Sequence, residues 1–213
     1  MIADDFGSLP TRQRVEQFRG AVAAMRTDDV VFGDEIHSRD YITHFGAVAV
    51  LALDGEGRAL VIQQYRHPVG ARLWEIPAGL LDKPDEDPLT AAQRELAEEA
   101  GILASDWSVL LDYATTPGGS SELLRIYLAR GLTTLPERLM TDEAEEQDLV
   151  AEFVDFAEVR AAVLSGSVCN TALVAGVLAA EVSRTLDWST LRPADADWPM
   201  RTHLVANDRI FRR

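Results

Sequence analysis

Arg94, Glu95, Glu98 and Glu99 crowd three carboxylates and a guanidinium into one short stretch of this chain. On a helix, Glu95 and Glu99 are neighbours four residues apart, and Glu98 lies three from Glu95. Left unpaired, like charges at that spacing destabilise a helix by roughly a few tenths of a kcal/mol. Arg94 and solvent could offset the repulsion. So could a divalent cation, because clustered carboxylate oxygens suit hard Mg²⁺ or Mn²⁺. Carboxylates on a helix are often no more than a solvated face, so the surrounding residues must decide.

Those residues describe a loop running into a short helix. Asp87 or Thr90 can cap its start, Pro88 suits its first turn and Gly101 suits its stop. Leu89, Ala92, Leu96 and Ala100 fall on one face, the face to bury. Upstream, Leu73-Trp74-Glu75-Ile76-Pro77 reads as a short strand that delivers the chain to Gly79, where the missing side chain permits close backbone approach.

Together, Gly79, Glu86, Arg94, Glu95, Leu96, Glu98, Glu99, Gly101 and Ile102 resemble the Nudix box: Gly, five residues, Glu, seven residues, Arg-Glu, an apolar residue, any residue, Glu-Glu, any residue, Gly, an apolar residue. One departure exists. Six residues, not five, separate Gly79 from Glu86, and the extra one falls in the loop, where an insertion is easily absorbed. The resemblance implies a metal-dependent hydrolase that cleaves a pyrophosphate joining a nucleoside to another group. It implies Glu95 and Glu99 as metal ligands, the backbone carbonyl of Ala78 as a further ligand, and Glu98 as a ligand or a residue just behind it. Arg94 and Glu86 would orient the glutamates through ion pairs. Mg²⁺ is the expected cofactor, with Mn²⁺ as the alternative.

Outside the box, the chain resembles the ADP-ribose pyrophosphatase branch. Pro117 lies sixteen residues after Gly101, the offset that marks the branch. Thr116, Pro117 and Gly118 would line the terminal-ribose end, with Glu122 beside it. Arg66, in Gln64-Tyr65-Arg66-His67-Pro68, resembles the phosphate-contacting arginine. Arg39 and Asp40 fall where the family uses an arginine from the N-terminal part, His44 would face the adenosine end, and Leu80, beside Gly79, would touch substrate. The acidic run 141–148 falls where the branch places a glutamate that activates water; Glu145 is the first choice and Glu146 the second. Such a run is commonly just solvated. For Arg39 and Arg66 the bland alternative is a surface side chain, and for Trp74 and Tyr65 it is core packing in place of stacking on adenine. His37, His67 and His203 are expected to be structural.

Composition narrows the alternatives. Twenty basic residues against thirty-five acidic give a net charge of −15, which argues against nonspecific nucleic-acid binding. An anionic substrate then needs cations and a few placed arginines. The single cysteine, Cys169, excludes an intrachain disulfide and reads as a small, half-buried apolar residue. The start lacks the basic and apolar regions of a signal peptide, and the most apolar run, Val168 to Val182, is too interrupted to span a bilayer. The expectation is a soluble cytoplasmic protein without a membrane or nucleic-acid partner.

The expected fold is α/β: a Nudix-type α/β/α sandwich with a mixed sheet, plus a small N-terminal β subdomain. Residues 1–43 form that subdomain, which the resemblance assigns to homodimer formation; 44–186 form the hydrolase domain and 187–213 an irregular tail. Thr11 to Met25 fits an amphipathic helix by spacing, but strands from about Phe18 are favoured by resemblance. Val30 to Ile36 reads as a strand, 47–53 and 59–64 as a hairpin, 108–113, 123–129 and 151–156 as strands, and 157–164 and 171–186 as helices. ADP-ribose, cleaved to AMP and ribose 5-phosphate, is the leading substrate. A hydrolase of other nucleoside diphosphate sugars or dinucleotides, and a non-catalytic ADP-ribose-binding module, are the rivals. The latter is disfavoured because Glu95, Glu98 and Glu99 all remain.

Overall fold

The computed structural model describes residues 2–136 and 149–212. The chain forms two compact units. One joins residues 1–46, 114–123 and 197–213; the other comprises 47–113 and 124–196.

In the second unit, strand β4 (Ala47–Ala52) is buried at every residue. It pairs in parallel with β9 (Leu123–Thr134) and antiparallel with β7 (Ala78–Leu80), in a five-stranded mixed sheet that also holds β8 (Ile102–Ala114) and the two-residue β11 (Arg192–Pro193). A second sheet is ordered β10 (Val150–Asp155), β5 (Arg58–Arg66), β6 (Ala71–Glu75). The segments 47–53 and 59–64 are therefore not a paired hairpin. Only the isolated bridge Leu53–Ala59 joins them, and each strand pairs within its own sheet.

Alternation along β4 explains the layers. Ala47, Ala49 and Leu51 enter a core cluster with Leu173, Val177 and Ala180 of helix α3 (Thr171–Thr185) and Val159 of α2 (Phe156–Ser165). Val48 and Val50, equally buried, point to the opposite side; there β4 and β7 pack on α1 (Pro88–Ala100). The result is the expected α/β/α sandwich. The caps match their residue types: Asp87 accepts from the Leu89 and Thr90 N–H groups, Gly101 takes a left-handed φ of 65°, and Asn170 accepts from Leu173 N at 3.1 Å.

In the first unit, β1 (Thr11–Arg19), β2 (Ala23–Phe32) and β3 (Glu35–His44) form an antiparallel meander. The helix suggested by the spacing over 11–25 is absent, and strand structure begins at Thr11, earlier than Phe18. Cross-strand chemistry overrides the spacing: Arg14 grips Asp28, fourteen residues away, through two hydrogen bonds of 2.8 and 2.9 Å. The segment Val30 to Ile36 is not one strand either. Phe32 pairs with Glu35 across a two-residue turn whose Gly33 has a φ of 62°.

The tail is more ordered than its composition suggests. Arg192 and Pro193 pair with β8, and α4 (Pro199–Ala206) starts on a proline behind the buried Trp198. Tyr65 is exposed, against the expectation of core packing, whereas Trp74 does pack on the core. Cys169 is exposed rather than half-buried. No helix among the described residues is long and apolar enough to cross a membrane.

Candidate active site

Strand β7 and helix α1 bring the box residues together in the second unit. The Ala78 N–H donates to Glu99 Oε2 at 2.9 Å. Gly79 lies under Glu95: a Cβ on Gly79 would collide with Glu95 Oε1, so the missing side chain is the space that this carboxylate fills. Both glutamates are buried, Glu95 to 8% and Glu99 to 5% exposure.

Arg94 ties the carboxylates into one lattice. It donates to both oxygens of Glu86 at 3.0 Å, to Glu95 at 2.6 Å and to Glu98 at 2.8 Å. Its own pKa rises further, chiefly through its bonds to Glu86. The same bonds hold the Glu86 carboxyl below the ordinary glutamate value. Glu95 moves the other way, because burial penalises its charged form by more than Arg94 compensates. A buried carboxylate left short of compensating charge is what a cation would satisfy.

Arg66, at the end of β5, is fixed by Glu75 of β6 through bonds of 2.9 and 2.7 Å. Glu75 is almost fully buried while the guanidinium remains partly exposed, so a hidden acid orients an accessible base. Leu80 is half-buried in β7. Glu75 was missed by sequence reasoning, although an acid inside the apolar stretch Leu73–Pro77 was a legible sign of a buried partner.

The first unit gathers a separate set. Arg39, Asp40, Pro117 and Gly118 line a cavity of about 470 Å³. Thr116 anchors the same turn, accepting from Gly119 N and Ser120 N at 2.9 Å. Glu122 accepts from Thr115 Oγ1 at 2.6 Å and lies 3.4 Å from His44 Nδ1. Burial lowers the pKa of His44, and the Glu122 charge partly counters this. Three further lining residues, Asp28, Tyr41 and Arg209, carried no sequence signal, since their meeting depends on strand register and on the fold of the tail. Glu145 and Glu146 lie outside the described residues.

The remaining histidines have partners of their own: His37 with Glu35, His67 with Tyr65, and His203 with the sequence-distant Ser8. Among the described residues, no three His, Cys, Asp or Glu side chains are grouped to hold a metal.

A sandwich with this helix and glycine strand defines the class of protein. The chain belongs to the NUDIX family: the NUDIX domain matches residues 43–168. It is 44% identical over 196 residues to an ADP-ribose pyrophosphatase of Mycobacterium tuberculosis, covering 91% of this chain and 92% of that protein. It is 37% identical over 129 residues to an ADP-ribose pyrophosphatase of Bacillus subtilis, covering 60% and 69%. A crystal structure of an ADP compounds hydrolase, 20% identical, shares the fold with a TM-score of 0.71 over 86% of this chain and 98% of that one.

Proposed function

We propose that this protein hydrolyses the pyrophosphate of ADP-ribose, in a divalent-cation-dependent reaction, to AMP and ribose 5-phosphate. The observation that carries the reading is the 44% identity to a pyrophosphatase of that substrate across nearly the whole of both chains.

The donor set suits a hard cation. Glu95 and Glu99 supply two buried carboxylates, and the Ala78 carbonyl belongs to the backbone that Glu99 already holds. Glu98, held by Arg94, stands behind them. A bound divalent cation would draw charge from the pyrophosphate oxygens and acidify water. Mg²⁺ is the proposed ion, with Mn²⁺ as the alternative.

Hydrolysis forms a bond from the water oxygen to one phosphorus and breaks the bridging P–O bond; the water proton passes to a base. Glu145, with Glu146 second, is proposed as that base. Arg66, presented by Glu75, contacts the phosphates. Arg39, Asp40 and Leu80 contact the substrate, His44 faces its adenosine end, and Thr116, Pro117, Gly118 and Glu122 shape the terminal-ribose end. We place the reaction in the cytoplasm and in a homodimer built on residues 1–43. In support of the dimer, Phe18 pairs with Met25 and Met25 with Ile42, and all three are exposed, forming an apolar row across the sheet.

The geometry at Gly79 gives an immediate expectation. In Gly79→Ala, the new methyl collides with the carboxylate and Cγ of Glu95, a buried side chain that Arg94 holds, so Glu95 must shift and the fold should lose about 1 to 3 kcal/mol. Turnover should fall roughly 100-fold, because a ligand about an ångström out of place misaligns the reacting groups. Melting and steady-state assays check the two losses separately; wild-type turnover in the folded variant would contradict the placing of Glu95. The substrate is tested by following product release from ADP-ribose, NADH, ADP-glucose and GDP-mannose with Mg²⁺. ADP-ribose should be cleaved fastest. A faster sugar nucleotide would move the assignment, and tight ADP-ribose binding without cleavage would mark a sensor.

A further inference from the structure

The cavity of the first unit has a wall built from the C-terminal segment. Arg209 lines it, presented by the turn after helix α4. Four observations show that this placement is built. The Asp208 carbonyl accepts from Arg26 at 2.7 Å and from Arg14 at 3.2 Å. Asp208 holds a left-handed φ of 51°, a conformation that aspartate tolerates but does not prefer. Immediately after Arg209, Ile210 and Phe211 are buried; Phe211 donates its N–H to the His44 carbonyl at 3.2 Å and packs edge-on against Phe45. Arg209 therefore hangs between two fixed points.

Its side chain is steered by Asp28, which is 1% exposed. Both Asp28 oxygens are bonded by Arg14, and Oδ2 also accepts from Tyr41 at 3.2 Å and attracts Arg209 at 3.8 Å. The Arg209 guanidinium lies 5.8 Å from the centre of the Tyr41 ring. Since Arg14 already neutralises Asp28, Arg209 keeps donors available. Arg39, directly opposite Asp28 in the strand register, lines the same space, and no carboxylate among the described residues forms an ion pair with it. Asp40 is the opposing charge, occupied in part by Thr27 at 2.6 Å. Two arginine forks, the hydroxyls of Ser120, Ser121 and Tyr41, and the open backbone at Gly118 suit a polyhydroxylated, phosphorylated ligand.

We propose that Arg209 is a substrate-binding residue for the sugar-phosphate half of the nucleotide sugar, and that Asp28 is the positioning residue that aims it. The inference rests on the ADP-ribose reading, which puts Pro117 and Gly118 at the terminal-ribose end. It adds that the C-terminal turn forms part of that end.

The test is steady-state kinetics on ADP-ribose with Arg209→Gln, Asp28→Asn and the double variant, alongside direct binding of ribose 5-phosphate and AMP to each. Arg209→Gln should raise KM roughly tenfold, with most of the loss in KM rather than kcat. It should weaken ribose 5-phosphate binding by a similar factor and leave AMP binding within twofold. Asp28→Asn should act in the same direction, and the double variant should be no worse than Arg209→Gln alone, because Asp28 acts through Arg209. If Asp28→Asn does not fold, Arg209→Gln and Arg209→Lys decide, with lysine restoring part of the affinity. An unchanged KM, or equal weakening of AMP and ribose 5-phosphate, overturns the role of Arg209 while wild-type cleavage of ADP-ribose stands. Absence of wild-type cleavage overturns the substrate reading itself.

Discussion

Glu99→Gln is expected to reduce turnover of ADP-ribose by about a thousandfold or more, with little change in stability. Glutamine keeps the shape and can still accept the Ala78 N–H bond, which is 2.9 Å long in the native protein. It loses the charge. A carboxylate 5% exposed and placed beside the Ala78–Leu80 strand has no solvent to substitute for it. A factor of a thousand corresponds to about 4 kcal/mol of transition-state stabilisation, within the several kcal/mol that charge neutralisation at a pyrophosphate supplies. The loss should fall on kcat, and added Mg²⁺ should recover little of it. Turnover within tenfold of wild type would remove Glu99 from the metal set.

Arg94→Gln is expected to damage the fold as well as the reaction. Arg94 binds Glu86, Glu95 and Glu98 at once, and removing it takes a shared counter-charge from three carboxylates. Breaking a buried pair from one side costs about 3 kcal/mol or more, equivalent in a chain of this size to a fall in Tm of roughly 10 °C. Acid should expose the same contact in the native protein. The Glu86 carboxyl is held below its ordinary value, so its contribution is complete above the ordinary glutamate range and is lost as pH falls through the lowered value. Arg94→Gln should flatten that limb of the stability profile. Thermal melts from pH 3 to 7 test both statements; a variant with the wild-type Tm would show that solvent, not Arg94, balances the glutamates.

The box was legible because its chemistry is local. Asp87, Pro88 and Gly101 fix the ends of a thirteen-residue helix from within the sequence, and the helical period then fixes which glutamates are neighbours. The structure supplied what spacing could not: Glu95 lies over Gly79 because β7 and α1 are packed together, and Arg94 takes on three glutamates. Long-range pairing was hidden. Val15, Phe18, Val22 and Met25 align on a helix, yet Val15 and Phe18 lie in β1, Val22 in the turn and Met25 in β2; the pairing of β1 with β2, with Arg14 on Asp28, settles the matter. Asp28, Tyr41 and Arg209 are ordinary surface types in an acidic chain, brought to one cavity by a strand register and by the fold of the tail. Glu75 differs: its apolar neighbours in Leu73–Pro77 mark a buried acid, although its pairing with Arg66 was missed.

Cleavage of the ADP-ribose pyrophosphate at the box helix can be read from the products. The full chain is incubated with ADP-ribose and Mg²⁺, the products are resolved chromatographically, and the incubation is repeated with a chelator and with Glu99→Gln. AMP and ribose 5-phosphate should appear in equal amounts from the wild-type protein, and neither from the other two. Intact ADP-ribose after wild-type incubation, or equal cleavage by Glu99→Gln, would contradict it.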